Sequence, residues 1–203
     1  MITLVNYGLG NIQAFVNIYK KLDIPVTVAQ TTADLLQSKK IILPGVGAFD
    51  WAMARLNDSG MRQTLDDLVL IKKIPILGVC VGMQIMAQKS DEGNLEGLGW
   101  IEASVKRFPQ PSSGEKTYLP HMGWNDVTPK NNESLFKGMS NPQFYFLHSY
   151  FFLEKDQKNI LSITNYHGQF TSAVQKDNIF GTQFHPEKSH GNGIQLLKNF
   201  ADL

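Results

Sequence analysis

Ile74-Pro75-Ile76-Leu77-Gly78-Val79-Cys80-Val81-Gly82-Met83-Gln84 is the stretch on which the fold turns. Apolar residues run into a G-x-C-x-G frame, so the segment reads as a β-strand that bends abruptly into a helix, with a glycine on each side permitting a turn too tight for side chains. Such a turn lifts the sulfur to the end of a sheet. There the unpaired N–H groups of the helix N-terminus favour a thiolate and can receive an oxyanion. Taken alone, a single cysteine is more often a buried small hydrophobe than a reactive thiol. The paired glycines point the other way, because Gly inside a regular element costs about 0.5 to 1 kcal/mol relative to Ala.

Outward from this turn, the first half alternates short β-branched runs with amphipathic segments, the pattern of βα units on a parallel sheet. Strands are expected over Ile2 to Asn6, Pro25 to Ala29, Lys40 to Leu43 and Ile74 to Val79. Ile12, Phe15, Val16, Tyr19 and Leu22 recur at helical spacing behind Asn11, a plausible N-cap. Trp51 to Val69 reads as helical with a break at Ser59-Gly60, and Val81 to Lys89 as the helix that follows the cysteine. In the second half, strand-like stretches fall near Gly99 to Phe108, Gln143 to Leu153, Leu161 to Tyr166, Phe170 to Gln175 and Ile179 to Phe184. A helix over Gly193 to Leu203 closes the chain, and the Pro109 to Gly114 stretch reads as an exposed loop. The expected fold is therefore α/β: one domain over residues 1 to 203, with a central, mostly parallel sheet flanked by helices and an additional antiparallel portion.

Composition narrows the function. Nineteen basic against eighteen acidic side chains leave a formal charge of +1, so no global field draws the protein to nucleic acid or to an anionic membrane. The N-terminus lacks the basic start and longer apolar run of a secretory signal, and no stretch offers the roughly 20 apolar residues of a membrane helix. A cytoplasmic protein is expected. Cys80, the only cysteine in these 203 residues, has no partner for an internal disulfide. One cysteine with scattered histidines also shows none of the usual zinc spacings, and neither metal nor cofactor is expected.

A base for the sulfur is offered by Gly181-Thr182-Gln183-Phe184-His185-Pro186-Glu187-Lys188-Ser189. Pro186 biases His185 toward an extended conformation, in which residues two apart project to the same side. A carboxylate beside an imidazole fixes its tautomer and stabilises its charged form, the third role in a nucleophile, base and orienter triad. An unselected His-Pro-Glu is more often a plain surface turn. His121, His148, His167 and His190 have less support as the base.

With both segments in hand, the chain resembles the class I glutamine amidotransferases and, within them, the glutaminase subunits of imidazole glycerol phosphate synthase. The resemblance is carried by Asn6-Tyr7-Gly8-Leu9-Gly10-Asn11, Leu43-Pro44-Gly45-Val46-Gly47-Ala48-Phe49, the Cys80 segment, Pro120-His121-Met122-Gly123-Trp124-Asn125, His148-Ser149-Tyr150 and Gln183 to Ser189. It implies that Cys80 attacks the glutamine side-chain amide, that His185 moves protons, and that Glu187 holds the imidazole. It further implies oxyanion donors at Val81 and in the Pro44 to Gly47 loop, at Val46 or Gly47. By the same resemblance Gln84, Glu92, Ser149 and Tyr150 hold the substrate's amino-acid end, although Gln84 reads equally well as a solvated helix residue and Tyr150 as a core aromatic. Asn11 and Trp124 would face a βα-barrel cyclase or synthase subunit in a heterodimer that consumes the ammonia in histidine biosynthesis. Val81 and Phe151 depart from the family's usual residues without touching the chemistry. Ser189-His190 and the ending Ile194 to Phe200 are similar to paralogues that supply ammonia to a sugar amidotransferase. Two further readings stay open: a stand-alone γ-glutamyl thiol hydrolase and a catalytically silent partner-binding module.

Overall fold

The computed structural model describes residues 1–109 and 117–203. Its first strands are β1 (Ile2–Val5), β2 (Val26–Ala29), β3 (Lys40–Gly45) and β4 (Ile76–Cys80), joined by α1 (Ile12–Lys21), α2 (Thr32–Leu35), α3 (Phe49–Asp58) and α4 (Arg62–Asp66). All four strands run parallel, in the order β2-β1-β3-β4. Every residue of β4 is buried, as expected of a strand covered on both faces. Asn11 caps α1 by accepting the Ala14 N–H at 3.2 Å, and the helical stretch after β3 breaks at Ser59 and Gly60, where Gly60 takes φ +71°. That stretch starts at Phe49, two residues before Trp51, and its last turn, Asp67–Ile71, widens to π geometry.

The helix after Cys80 is far shorter than its sequence suggests. Only Val81–Gln84 (α5) is helical. The carbonyls of Ile85, Ala87 and Met86, which a continuing helix would use, are taken instead by the N–H groups of Leu98, Gly99 and Ile101. The chain then enters β5 (Lys89–Ser90), parallel to β6 (Ala103–Arg107). Only part of the expected Gly99 to Phe108 run pairs as strand. Residues 110 to 114 of the expected Pro109 to Gly114 loop lie outside the described residues.

Beyond them come β7 (His121–Asp126), β8 (Thr128–Pro129), β9 (Gln143–His148), β10 (Tyr150–Glu154), β11 (Ile160–Asn165), β12 (Gln169–Lys176), β13 (Ile179–Thr182) and α6 (His190–Asp202). The single run read over Gln143 to Leu153 is two strands that part at Ser149. β9 pairs with β7 in a separate two-stranded ribbon, while β10 joins the main sheet.

In the main sheet β13 departs from the antiparallel trend. It runs antiparallel to β12 but parallel to β4, with Thr182 opposite Val79. Asn178, in the two-residue turn before β13, fixes this register: its side chain donates to the carbonyls of Val69 and Ile74, both at 2.9 Å, and its carbonyl accepts the Ile76 N–H. The sheet order is thus β2-β1-β3-β4-β13-β12-β10-β6-β5, with β11 on β12 and β8 on β11. α6 packs beside α1, where Tyr19 donates to the Leu197 carbonyl. It starts three residues earlier than the Gly193 expected: the Gly193 N–H already donates to the Ser189 carbonyl at 3.0 Å, and Gly193 also passes close to the Pro186 carbonyl, which a Cβ would strike. One buried cluster joins both halves, from Leu4, Ile42 and Leu77 to Phe146, Phe184 and Leu197. Burying each such side chain contributes about 1.5 to 3 kcal/mol.

Candidate active site

Because β4 and β13 are parallel neighbours, their C-terminal ends open side by side. Cys80 is the last residue of β4, and His185 follows β13 by three residues. The Cys80 backbone sits at φ +55° and ψ −113°, a conformation L side chains rarely adopt and one that costs on the order of 1 to 3 kcal/mol. Backbone crowding holds it there. A Cβ on Gly82 would drive into the Leu43 carbonyl oxygen, one on Gly45 into the Gly82 amide, and one on Gly78 would lie 2.6 Å from the Gly82 carbonyl oxygen. The two glycines flanking Cys80 are therefore each required by a close approach: Gly82 by that of the β3 end to α5, and Gly78 by that of α5 folding back over β4, as the G-x-C-x-G frame suggests.

His185 is extended, at φ −100° and ψ 94°. The expected extended run stops there: Pro186–Lys188 form a 3-10 turn closed by the Lys188 N–H on the His185 carbonyl. Proline at the start of a turn is pre-set for helical φ, so the residue that extends His185 also curls the chain behind it. The pair forms nonetheless. His185 Nδ1 donates to Glu187 Oε1 at 2.8 Å, with both side chains almost wholly buried. Burial alone would push the imidazole down, but the Cys80 sulfur and the Glu187 carboxylate outweigh it and hold His185 up at about 10. Ser189 accepts nothing from the imidazole; its hydroxyl donates to the His185 carbonyl and accepts the Tyr145 N–H, tying this turn to β9.

In front of the sulfur lies a cleft of about 330 Å³ lined by Val46, Gly47, Cys80, Val81, Gln84, Glu92, Ser149, Tyr150 and His185. All nine were singled out from sequence. Gln84 is buried, not solvated, and its side-chain N–H groups are directed to the Tyr150 carbonyl and Gln183 Oε1, each at 3.0 Å. Glu92 is anchored through Oε2, which accepts the Phe49 N–H at the start of α3, where a helix N-terminus favours negative charge. Gly47 takes φ +89°, beside an exposed Val46. Asn11 and Trp124 lie outside the cleft. Both are exposed, and the Trp124 ring stacks on His190 at 5.2 Å between centroids.

Sequence reasoning gave no role to Pro120, Leu147, His148 and Lys188, which also line the cleft, or to Gln183, whose Nε2 points at the sulfur from 3.8 Å. Gln183 and Lys188 stand in the same segment as His185, and that proximity was the available signal. Leu147 and Pro120 reach the cleft only through the β7–β9 pairing. Among the described residues no group of three or more His, Cys, Asp or Glu side chains is placed to hold a metal ion, and no helix is long and apolar enough to cross a membrane.

A strained cysteine at a strand-to-helix turn, facing a buried histidine and carboxylate, suits acyl transfer from an amide. The chain belongs to the class-I glutamine amidotransferase family, whose model matches residues 3–203. Among its relatives are proteins named imidazole glycerol phosphate synthase subunit HisH. That of Bdellovibrio bacteriovorus is 55% identical and that of Leptospira interrogans 50%, each over the whole of both chains. A Pseudomonas aeruginosa relative named subunit HisH 2 is 44% identical, again over both full lengths. A solved structure described as a glutamine amidotransferase superposes with a TM-score of 0.76 at 17% identity, covering 99% of this chain and 97% of that one. The structure of PurLQS from Thermotoga maritima gives 0.72 at 16%, covering 99% and 97%. At such identities these two speak for the fold, a mostly parallel sheet with helices and a small antiparallel ribbon.

Proposed function

We propose that this chain is the glutaminase subunit of imidazole glycerol phosphate synthase, hydrolysing glutamine and passing ammonia to a βα-barrel synthase subunit in histidine biosynthesis. The observation that carries the glutaminase chemistry is the strained Cys80 beside the buried His185–Glu187 pair. The pathway rests on the full-length likeness to the HisH subunits.

The Cys80 thiolate adds to the side-chain amide carbon of glutamine, and the negative charge moves to the carbonyl oxygen. N–H groups of Val81 and of the Val46–Gly47 loop receive that charge. His185, protonated in the resting site, gives its proton to the amide nitrogen as the C–N bond breaks, so ammonia leaves and a thioester to Cys80 remains. A water then adds to the thioester carbon, losing its proton to His185. The C–S bond breaks to restore the thiolate, and the new carboxylic acid gives its proton to solvent and leaves as glutamate. Glu187 holds the imidazole through both steps. Glu92, Gln84 and the Ser149–Tyr150 corner hold the amino-acid end of the substrate. Asn11 and Trp124 lie on the face that meets the barrel subunit. A cytoplasmic site of action fits this chemistry.

Cys80→Ser tests the reading directly. In complex with the barrel subunit this variant should lose essentially all glutamine-dependent synthesis, because a hydroxyl lacks the accessible ionised form, while synthesis from added ammonia continues. His185→Ala should behave alike, since residues that act as a unit fail together. More than a few per cent of parental glutaminase in Cys80→Ser would remove Cys80 as nucleophile. Activation by a sugar amidotransferase and not by the barrel subunit would move the chain to the surface-sugar pathway.

A further inference from the structure

Behind the Ser149–Tyr150 corner lies a chain of hydrogen bonds that the chemistry above does not use. His148 Nδ1 meets the Tyr150 carbonyl at 2.8 Å, His148 Nε2 meets His121 Nδ1 at 2.9 Å, and His121 Nε2 meets the Asn125 side-chain nitrogen at 3.2 Å. Each step has one possible direction. A carbonyl only accepts, so His148 carries its proton on Nδ1, and in the neutral ring Nε2 must accept. His121 then donates from Nδ1 and accepts at Nε2. The Asn125 amide cannot turn round to reverse the order, because its oxygen accepts the Asp126 N–H at 2.8 Å and its nitrogen also donates to the Asn165 carbonyl at 3.0 Å.

We propose that His121 is a positioning residue for glutamine binding: by donating from Nδ1 it sets the tautomer of His148, which with Gln84 fixes the Tyr150 carbonyl and so the backbone corner that receives the substrate's amino-acid end. This rests on the glutaminase reading. The Tyr150 carbonyl takes two donors, His148 and Gln84, and the first closes a turn around Ser149, the residue where the chain passes from the ribbon to the main sheet. His121 is clamped for the task, its ring stacked between Tyr166 at 4.0 Å and Phe146 at 4.7 Å between centroids. Both imidazoles are buried, which drives His121 down to about 4 and His148 to about 3 and keeps them neutral. His185 is thereby left as the imidazole that titrates beside the sulfur.

Two isosteres separate donor from packing. His121→Phe keeps the stacked ring and loses the donor, leaving His148 Nε2 buried without a partner. His121→Asn loses the ring but keeps an N–H near the position of Nδ1. In the assembled complex His121→Phe should raise the glutamine KM roughly tenfold or more with kcat within about threefold of the parent, and His121→Asn should restore most of the affinity. Parental KM in His121→Phe, or equal impairment of both variants, would overturn the proposal. Independently of folding in the variants, ¹⁵N-histidine spectra of the parent chain near neutral pH should show both His121 and His148 as neutral rings protonated on Nδ1. A proton on Nε2 of either ring would also overturn it. A parent complex that hydrolyses no glutamine would instead defeat the glutaminase reading, and the tautomer measurement would still judge the relay.

Discussion

Cys80 and His185 face each other from neighbouring strand ends, yet they are held by opposite means. The sulfur is placed by backbone: a positive φ enforced where β3 and α5 touch main chain to main chain at Gly45 and Gly82. The imidazole is placed by polar side chains, Glu187 on its ring and Ser189 on its carbonyl. A nucleophile held by contact distances is broken by adding an atom. A base held by a hydrogen bond is broken by altering one.

Gly82→Ala is the sharpest way to test that difference, and the largest effect is expected from it. The new methyl meets the Leu43 carbonyl, backbone that cannot swing aside, so stability should fall by about 3 kcal/mol and turnover should be lost with it. A urea midpoint and glutaminase activity equal to the parent's would show that the elbow is not set by this contact. Glu187→Gln should do the reverse. The carboxamide still accepts from His185 Nδ1 but does not stabilise imidazolium, so the urea midpoint should move little while kcat falls by on the order of 10² to 10⁴. The pH at which His185 loses its proton should also drop below about 10, as an NMR titration would read. Unchanged turnover would remove Glu187 from the mechanism.

Gly47→Val probes a third kind of restraint, one that must be able to change. Gly47 sits at φ +89° with open space about its Cα, the nearest atom to an added Cβ being Trp51 Cδ1 at 4.0 Å. The expected penalty is conformational, since a β-branched residue resists that φ. If a peptide of this loop turns its N–H into the oxyanion position when the partner is loaded, the parent chain alone should be nearly idle and gain roughly two orders of magnitude on adding partner and acceptor ligand. Gly47→Val should blunt that rise without weakening association to the same degree. Full activity of the isolated parent would end the gating idea.

These contrasts also explain what could be read from sequence. Periodicity exposed the four parallel strands, and the Asn11 cap was legible because a side-chain acceptor at a helix start is a local device. The elbow was legible for the same reason, through its glycines. What stayed hidden depends on distant chain. α5 ends after four residues because the amides of Leu98, Gly99 and Ile101 take the next carbonyls. β7 was missed because in His121-Met122-Gly123-Trp124-Asn125-Asp126 the apolar Met122 and Trp124 are split by a glycine and followed by two polar residues, and it becomes a strand only by pairing with β9. That pairing brings His121 opposite His148, so the relay behind the cleft could not be seen before the ribbon was known.

The solitary sulfur has a consequence outside catalysis. Peroxide would convert a thiolate of this kind to a sulfenic acid, a state that proteins commonly rescue by closing a disulfide with a neighbouring thiol. These 203 residues contain no second cysteine. Recovery of an oxidised chain therefore falls to thiols brought from outside, such as glutathione, reaching the sulfur through the cleft in front of it, and a cell under oxidative stress would lose this activity for as long as that external supply ran short.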